Sequence, residues 1–598
     1  YRRQRQMCIR DSVGIARRLS WLLLLLLLLP CLAGAAAPNE SFHESLSLRP
    51  LIGGRVHAAF SFKLKSDDVS SIHHFHILPR ALLQPVASLG VDELRLSLNK
   101  GRWVYEDWGS PMPGTGGDDA VASGAEIWAL MSNATDMWPR WRVLTSALAS
   151  VSCASLDGID DTTTIVPKHS YFDTQATMLH AYLPSESMCT ENMTPLLKLL
   201  PCKGGAGLAS LIKPHAILSA EFHGVSLHVR RTRDRAWDVS VRFQAVMRPA
   251  MLGDTRWTLD KLFRAHLETT CPVARSSEIH VQSESVPEPP VGAAGSMKSL
   301  SESHSGRSSS DNDDFVTTYA GADNVDDGFS DLGEEDDDDE VAKPLVYTVP
   351  MHTYMYDARS LDAYGGVLNI SFLSKASSPL VRPPPLRASR QLLGYGQERN
   401  FVRLTLRNDL TTETVHMLYY EHIPWTVLPL LHTLRADVEV DEYDDADGTV
   451  RFTDDVSRPF VVNATYKPPK VRKTMGSLEL VLRVPSSSTL TVSYVLRKHM
   501  LHYDEHIPDP HRGMDLPPAL FMPLGARGRA WSETHKHWPV SYVQAPRLYS
   551  TPGLLDMILP DFSMPYNVIL FYSTFAALFF GTMLNQMLRR YRDVYRLK

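Results

Sequence analysis

From Pro565 to Leu584 the chain carries no charged residue, and beyond that stretch lie Arg589, Arg590, Arg592, Arg596 and Lys598. A helix needs about twenty apolar residues to cross a hydrocarbon core of roughly 30 Å, so this stretch is long enough to span a membrane once. The basic cluster behind it is expected on the cytosolic face by the positive-inside bias, which places the bulk of the chain on the opposite side. Basic residues after the apolar run also argue against a tail removed for a lipid anchor, because such signals end in apolar residues. Ser573, Ala577 and Gly581 recur at four-residue steps on one face of the run, the small-residue spacing that lets helix backbones approach closely. Small residues are common in membrane helices in any case, so the spacing marks a candidate contact with a neighbouring helix.

The front of the chain predicts the matching topology. Residues 1–12 lack an initiating Met and are set apart as upstream or incomplete sequence. Arg17 and Arg18 precede Trp21 and the unbroken run Leu22 to Leu29, followed by Pro30 and the small-residue site Ala33-Gly34-Ala35. That order is a signal peptide, giving a leader over 1–35 and a type I membrane protein with a luminal bulk. The acceptor pattern for N-glycosylation occurs at Asn39, Asn133, Asn192, Asn369 and Asn463, all on the side assigned to the lumen.

Between leader and anchor the chain is too long for one core at ordinary domain size. A content of 44% hydrophobic and 9% aromatic residues suffices to build several cores, and much of the acid behind the net charge of −6 is concentrated in one place. From Ser276 to Lys343 the chain is Ser-, Gly- and Pro-rich, then acidic, ending in the run Glu334 to Glu340. Such a stretch buries too little apolar surface to offset its ordering entropy. The expected organisation is therefore a β-rich luminal domain over 36–275, an acidic disordered linker or insertion over 276–343, a β-sandwich domain over 344–560, the anchor over 561–588 and a cytosolic tail over 589–598.

Period-two alternation dominates both halves. Phe60, Phe62 and Leu64 alternate with polar neighbours, as do Val225, Leu227 and Val229, and Val239, Val241 and Phe243. Leu478 to Val484 and Leu490 to Leu496 alternate on either side of Pro485 to Ser488 and predict a β-hairpin with one buried face. Helical spacing is rarer, at Trp141, Leu144, Leu148 and Val151, and at Trp257, Leu262 and Phe263. The fold class is mainly β: luminal antiparallel β-sandwiches with a few helices and one C-terminal transmembrane helix.

No catalytic constellation is legible. There is no nucleophile elbow, phosphate loop or zinc-protease helix, and no cysteine stands in a caspase-type context, so no catalytic residue, metal or cofactor is assigned. His73, His74 and His76, then His499, His502 and His506, then His535 and His537 cluster without the Cys or carboxylate partners of a metal site. Asp504, Glu505 and Asp509 would serve glycoside chemistry only across a sugar cleft, and Pro508 and Pro510 read more simply as a rigid loop. No basic stripe with interleaved aromatics points to nucleic acid. Removing the leader leaves Cys153, Cys189, Cys202 and Cys271 in an oxidising compartment. Two internal bridges satisfy that count; so does one outward bond, which leaves at least one further thiol free or otherwise paired.

Cys189-Thr-Glu-Asn-Met-Thr-Pro-Leu-Leu-Lys-Leu-Leu-Pro-Cys202, preceded by Ser152-Cys-Ala-Ser-Leu156, resembles the PIG-T family. Leu393 to Gly396, Ile423-Pro-Trp425, Pro508-Asp-Pro510 and Asp561-Phe-Ser-Met-Pro-Tyr-Asn567 extend the resemblance in order along nearly the whole chain, the acidic segment excepted. Members of that family are non-catalytic subunits of the glycosylphosphatidylinositol (GPI) transamidase in the endoplasmic reticulum. The resemblance implies a scaffold that holds a PIG-K-like, caspase-fold catalytic subunit by an interchain disulfide at Cys189, beside other membrane subunits. The alternatives are a type I cell-surface receptor or adhesion glycoprotein and, more remotely, a luminal glycosidase.

Overall fold

The computed structural model describes residues 40 to 590, leaving aside 67–76, 112–120, 168–175, 249–255, 284–297, 300–315, 321–345, 374–385, 441–458, 525–546 and a few shorter stretches. The leader, the Glu334 to Glu340 run, His73, His74, His76, His535, His537, Asn39, Asn133 and the last three basic residues lie outside the described residues.

The first unit is built on one broad sheet. Its long strands are β1 (Glu40–Leu51), β2 (Arg55–Ser66), β3 (Val91–Lys100), β4 (Gly124–Ser132), β5 (Ala176–Leu183), β6 (Phe222–Arg231), β7 (Trp237–Met247), β8 (Ser276–Ser283) and β9 (His352–Asp357). Their order in space is β9-β8-β1-β2-β7-β6-β3-β4-β5, with a two-residue strand at each edge completing eleven. Every long-strand pairing is antiparallel except β1 with β8, where Leu46 lies opposite Ile279. The alternating runs read from the sequence fall on β2, β6 and β7, and their apolar members are buried.

Four helices cover one face: α1 (Arg80–Ser88), α2 (Met137–Ser152), α3 (Thr190–Lys198) and the single turn α4 (Leu259–Phe263). In α2 the buried stripe is Trp141, Leu144, Thr145, Leu148 and Ser152, while Val151 sits at its half-buried margin. Trp257 belongs to a short strand ahead of α4 rather than to a helix, because the helix starts only after Thr258 caps it through Lys261 N–H.

Two expected boundaries move. Ser276–Ser283 is a strand between β1 and β9 and not the start of a linker. The expected second domain also begins too early, since Tyr354, Tyr356, Ala358, Leu361, Leu368 and Ile370 pack into the core of the first unit. Ile279 and Val281 alternate inward within a Ser- and Glu-rich run, so composition hid a pattern of only two apolar residues.

The second unit is a sandwich. One sheet has the order β10 (Leu386–Leu393), β11 (Arg399–Asn408), β16 (Ser488–Lys498), β13 (Val427–Val440); the other runs β14 (Val461–Lys467), β15 (Gly476–Val484), β12 (Val415–Ile423), β17 (Leu520–Pro523), β18 (Leu548–Tyr549). The predicted hairpin does not form. β15 pairs with β12 and β14, β16 pairs with β11 and β13, and the chain from Pro485 to Ser487 arches from one sheet to the other. The alternation was real on both strands, but the two apolar faces meet across the core, where Leu478, Leu480, Leu482 and Val484 pack with Leu490, Val492, Tyr494 and Leu496. Ser487, at a φ of 43°, provides the left-handed step of the arch.

The outer face of the second sheet packs against the first unit. Leu418, Tyr420, Leu520, Met522 and Tyr549 join Trp103, Trp108, Trp128, Tyr182 and Phe222 in one buried cluster. Past Leu555 the chain enters α5 (Ser563–Leu588), whose apolar span Tyr566–Leu588 has none of its length buried in the protein and is the candidate membrane crossing.

Candidate functional site

Cys189 stands at the N-terminus of α3, in extended backbone just ahead of Thr190. The first turn of a helix leaves backbone N–H groups without intrahelical partners, and a side chain three residues on commonly reaches back to satisfy one. Here that side chain is Asn192. Its Oδ1 accepts from Cys189 N at 3.0 Å and from the Cys189 thiol at 2.9 Å. Its Nδ2 donates to Ser152 O at 3.2 Å and to Cys153 O at 2.7 Å. One amide thus joins the start of α3 to the end of α2, where Cys153 takes the left-handed conformation that closes the helix.

The seat is rigid beneath as well. Met193, Leu196 and Leu197 bury the inner face of α3. Cys202, just past the helix, is bonded to Cys271 across Cα atoms 6.0 Å apart. Beside Cys271, Gly207 lies so close to the buried Glu44 that a Cβ there would meet Glu44 Oε1 at 2.5 Å, and its φ of 70° also favours glycine. Glu44 accepts from Ser277 Oγ at 2.7 Å and Leu208 N at 3.2 Å, and burial raises its carboxyl above the usual range. Cys189 and Cys153 remain, both free thiols and both exposed.

The acceptor pattern at Asn192 falls on a buried side chain. Asn192 is 0% exposed, and the nitrogen that would carry a sugar is held by two carbonyls. Asn369 is half-buried, its Oδ1 accepting from Asp260 N at 3.3 Å, and Asn463 is exposed on β14. Ser573, Ala577 and Gly581 lie on one exposed face of α5, and a Cβ on Gly581 would meet nothing within 4 Å. His499, His502 and His506 gather no metal set, since the described residues contain no group of three potential ligands. Glu505 is engaged by Arg472, which binds both its oxygens.

Two buried polar networks went unread in the sequence. At the contact between the units Glu126 accepts from Trp128 Nε1 at 2.8 Å, His180 Nε2 at 3.0 Å and Tyr549 Oη at 2.9 Å. Burial alone would raise the Glu126 carboxyl, but the bond from His180 and the charge of Arg547 hold it below its ordinary range. Burial lowers His180, which is stacked on Trp128 at 3.6 Å and in reach of Tyr420 Oη at 3.3 Å. Within the sandwich core Arg390 donates to Glu421 Oε1 at 2.6 Å, and Tyr419 and Tyr494 donate to its other oxygen. The available signal was a charge inside an apolar strand: Glu421 follows Leu418-Tyr-Tyr420 directly, and Glu126 opens Glu126-Ile-Trp-Ala-Leu130.

The fold and site together define a class: two β units followed by one helix long and apolar enough to cross a membrane, with an exposed thiol on a fixed platform. The chain belongs to the family described as Gpi16 subunit, GPI transamidase component, whose model matches residues 24–251 and 249–597. It is similar to the GPI-anchor transamidase component PIGT of Homo sapiens, 28% identical over 95% of this chain and 94% of the human one. The PIG-T homolog of Schizosaccharomyces pombe is 28% identical over 93% of this chain and 91% of its own length. The Saccharomyces cerevisiae component GPI16 is 25% identical over 92% and 88% respectively. The chain is thus a component of the GPI transamidase and works in a complex with other subunits. Among solved structures, collagen adhesin from S. aureus matches at 6% identity over 86% of this chain and 93% of the adhesin, with a TM-score of 0.16 that carries no argument.

Proposed function

We propose that this chain is a non-catalytic scaffold of the GPI transamidase in the endoplasmic reticulum membrane, with its two β units in the lumen and a short basic tail in the cytosol. It stabilises the complex during attachment of GPI anchors and tethers a caspase-like catalytic subunit by a disulfide at Cys189. The observation that carries this reading is the division of the cysteines: Cys202 and Cys271 bond to each other, while Cys189 is exposed and unbonded on a seat fixed by Asn192. A covalent tether raises the effective concentration of the partner, so that dissociation no longer limits assembly. The Ser573, Ala577 and Gly581 face of α5 is assigned to packing on helices of other membrane subunits, including those that receive the lipid.

The test is a nonreducing gel of the complex purified from detergent-solubilised membranes, comparing the native chain with Cys189→Ser. The expected result is a reducible heterodimer that vanishes in the variant while some complex persists through noncovalent contacts. A cross-link that survives Cys189→Ser assigns the bond to Cys153, and a chain with no cross-link in either form overturns the tether.

A further inference from the structure

The end of the sandwich from which the chain leaves for α5 carries a rigid basic tip. Pairing places Val427 opposite Lys498 and Ile423 opposite Gly476, so the turns at 424–426 and 468–475 and the segment after Lys498 gather at one end. Thr551 lies at Arg390, Gly553 at Leu392 and Leu555 against Gly513, so the last stretch of the sandwich runs toward this same end. Ser563 follows Leu555 closely enough that fully extended chain would bridge at most about 28 Å.

The tip is Lys467-Pro-Pro-Lys-Val-Arg-Lys473, between β14 and β15. Lys470 N donates to Thr474 O at 3.1 Å and Lys473 N to Lys470 O at 3.0 Å, which closes the turn, with Arg472 at a φ of 59°. Gly476 backs directly onto Pro469 and Lys467 O and leaves no room for a Cβ. Arg472 lies over the Trp425 ring at 5.1 Å and binds both oxygens of Glu505, whose carboxyl it holds down to about 2. Arg472 is therefore a brace. What faces outward is Lys467, Lys470 and Lys473, all exposed and none in an ion pair among the described residues, around Val471, which is 44% exposed. Met500, 76% exposed, lies on the neighbouring segment.

A preformed turn that offers ammonium groups around an apolar apex, on the end of the domain toward which the chain runs before its membrane helix, fits the region where headgroup phosphates give way to acyl chains. We propose that the Lys467–Lys473 turn rests on the bilayer leaflet on its own side, with its lysines on headgroup phosphates and Val471 at the acyl boundary, fixing the height and tilt of the sandwich above the membrane. The proposal rests on α5 lying in that bilayer.

The test uses the full chain reconstituted into vesicles carrying about one third anionic lipid, with acetylation of individual lysines by an activated ester read by peptide mass spectrometry. Co-flotation first establishes that α5 has inserted, separately from the question asked of the turn. The acetylation rates of Lys467, Lys470 and Lys473 are expected to fall at least about fivefold relative to neutral detergent micelles, to recover in high salt, and to leave Lys203 and Lys213 of the first unit unchanged. In Lys470→Gln/Lys473→Gln, whose changes are at exposed positions, the protection of Lys467 is expected to be largely lost, with thermal unfolding unaltered. Equal rates in micelles and vesicles overturn the proposal. So does protection already present in lipid-free micelles, which would mean that an acidic protein segment, such as Glu334 to Glu340 of this chain, covers the turn. Equal protection by inorganic phosphate in micelles would reduce the tip to an unspecific anion site and likewise overturn it.

Discussion

At the scale of single residues, Asn192 does the most with one side chain. Its amide satisfies four groups at once, and its removal takes a partner from each of them, the buried Ser152 carbonyl among them. Asn192→Ala is expected to lower the stability of the first unit by about 1–3 kcal/mol in urea unfolding and to speed thiol labelling of Cys189. The same burial predicts that peptide mass spectrometry finds Asn192 unglycosylated in the folded protein, in contrast to the exposed Asn463. A sequon states only that an Asn precedes a Thr by two positions; whether the amide faces water depends on the α2 carbonyls it meets, some forty residues back along the chain.

At the scale of elements, apolar alternation located β2, β6, β7, β15 and β16 from sequence, because a half-buried strand must show one face to the core every second residue. Alternation names a face and not a partner, which is why β15 and β16 were expected side by side and instead lie in opposite sheets. The C-terminal helix was equally legible, since uncharged length is all that its environment demands. β8 was not, and its position has a measurable consequence. Deleting 276–343 removes the strand that joins β1 to β9, whereas deleting 284–345 leaves all the long strands of the sheet in place. The first deletion is expected to abolish cooperative thermal unfolding of the first unit and the second to shift it little, since loop closure changes slowly with length. Cys189 was legible as a candidate only through resemblance; its exposure and the pairing of Cys202 with Cys271 required the fold, because four cysteines allow several arrangements on count alone.

At the scale of the whole molecule, neutral imidazoles are buried in and between the units. His57, His180 and His422 are all held below their ordinary value, first by burial. A histidine depressed in the folded state takes up a proton on unfolding, so its contribution is present above the unfolded pKa near 6.5 and is lost as pH falls below it. Each contributes a slope of at most about 1.4 kcal/mol per pH unit, so a fall in stability between about pH 7 and pH 5 is expected, read as melting temperature against pH. Glu126, depressed by its partners, adds to the loss only below the usual carboxylate range. His422→Gln is expected to make the decline shallower, and a pH profile unchanged by that substitution would remove His422 from the account.

One of the strands that touch both units is also the last one of the second sheet before the chain turns toward the membrane. Tyr549, on β18, sits in the sheet of the sandwich and at the same time reaches Glu126 of the first unit, with Arg547 lying over Trp128. Tension on the chain from α5 therefore meets first the pairing of Leu555 with Met514 and, six residues behind it at Tyr549, a joint shared by both units.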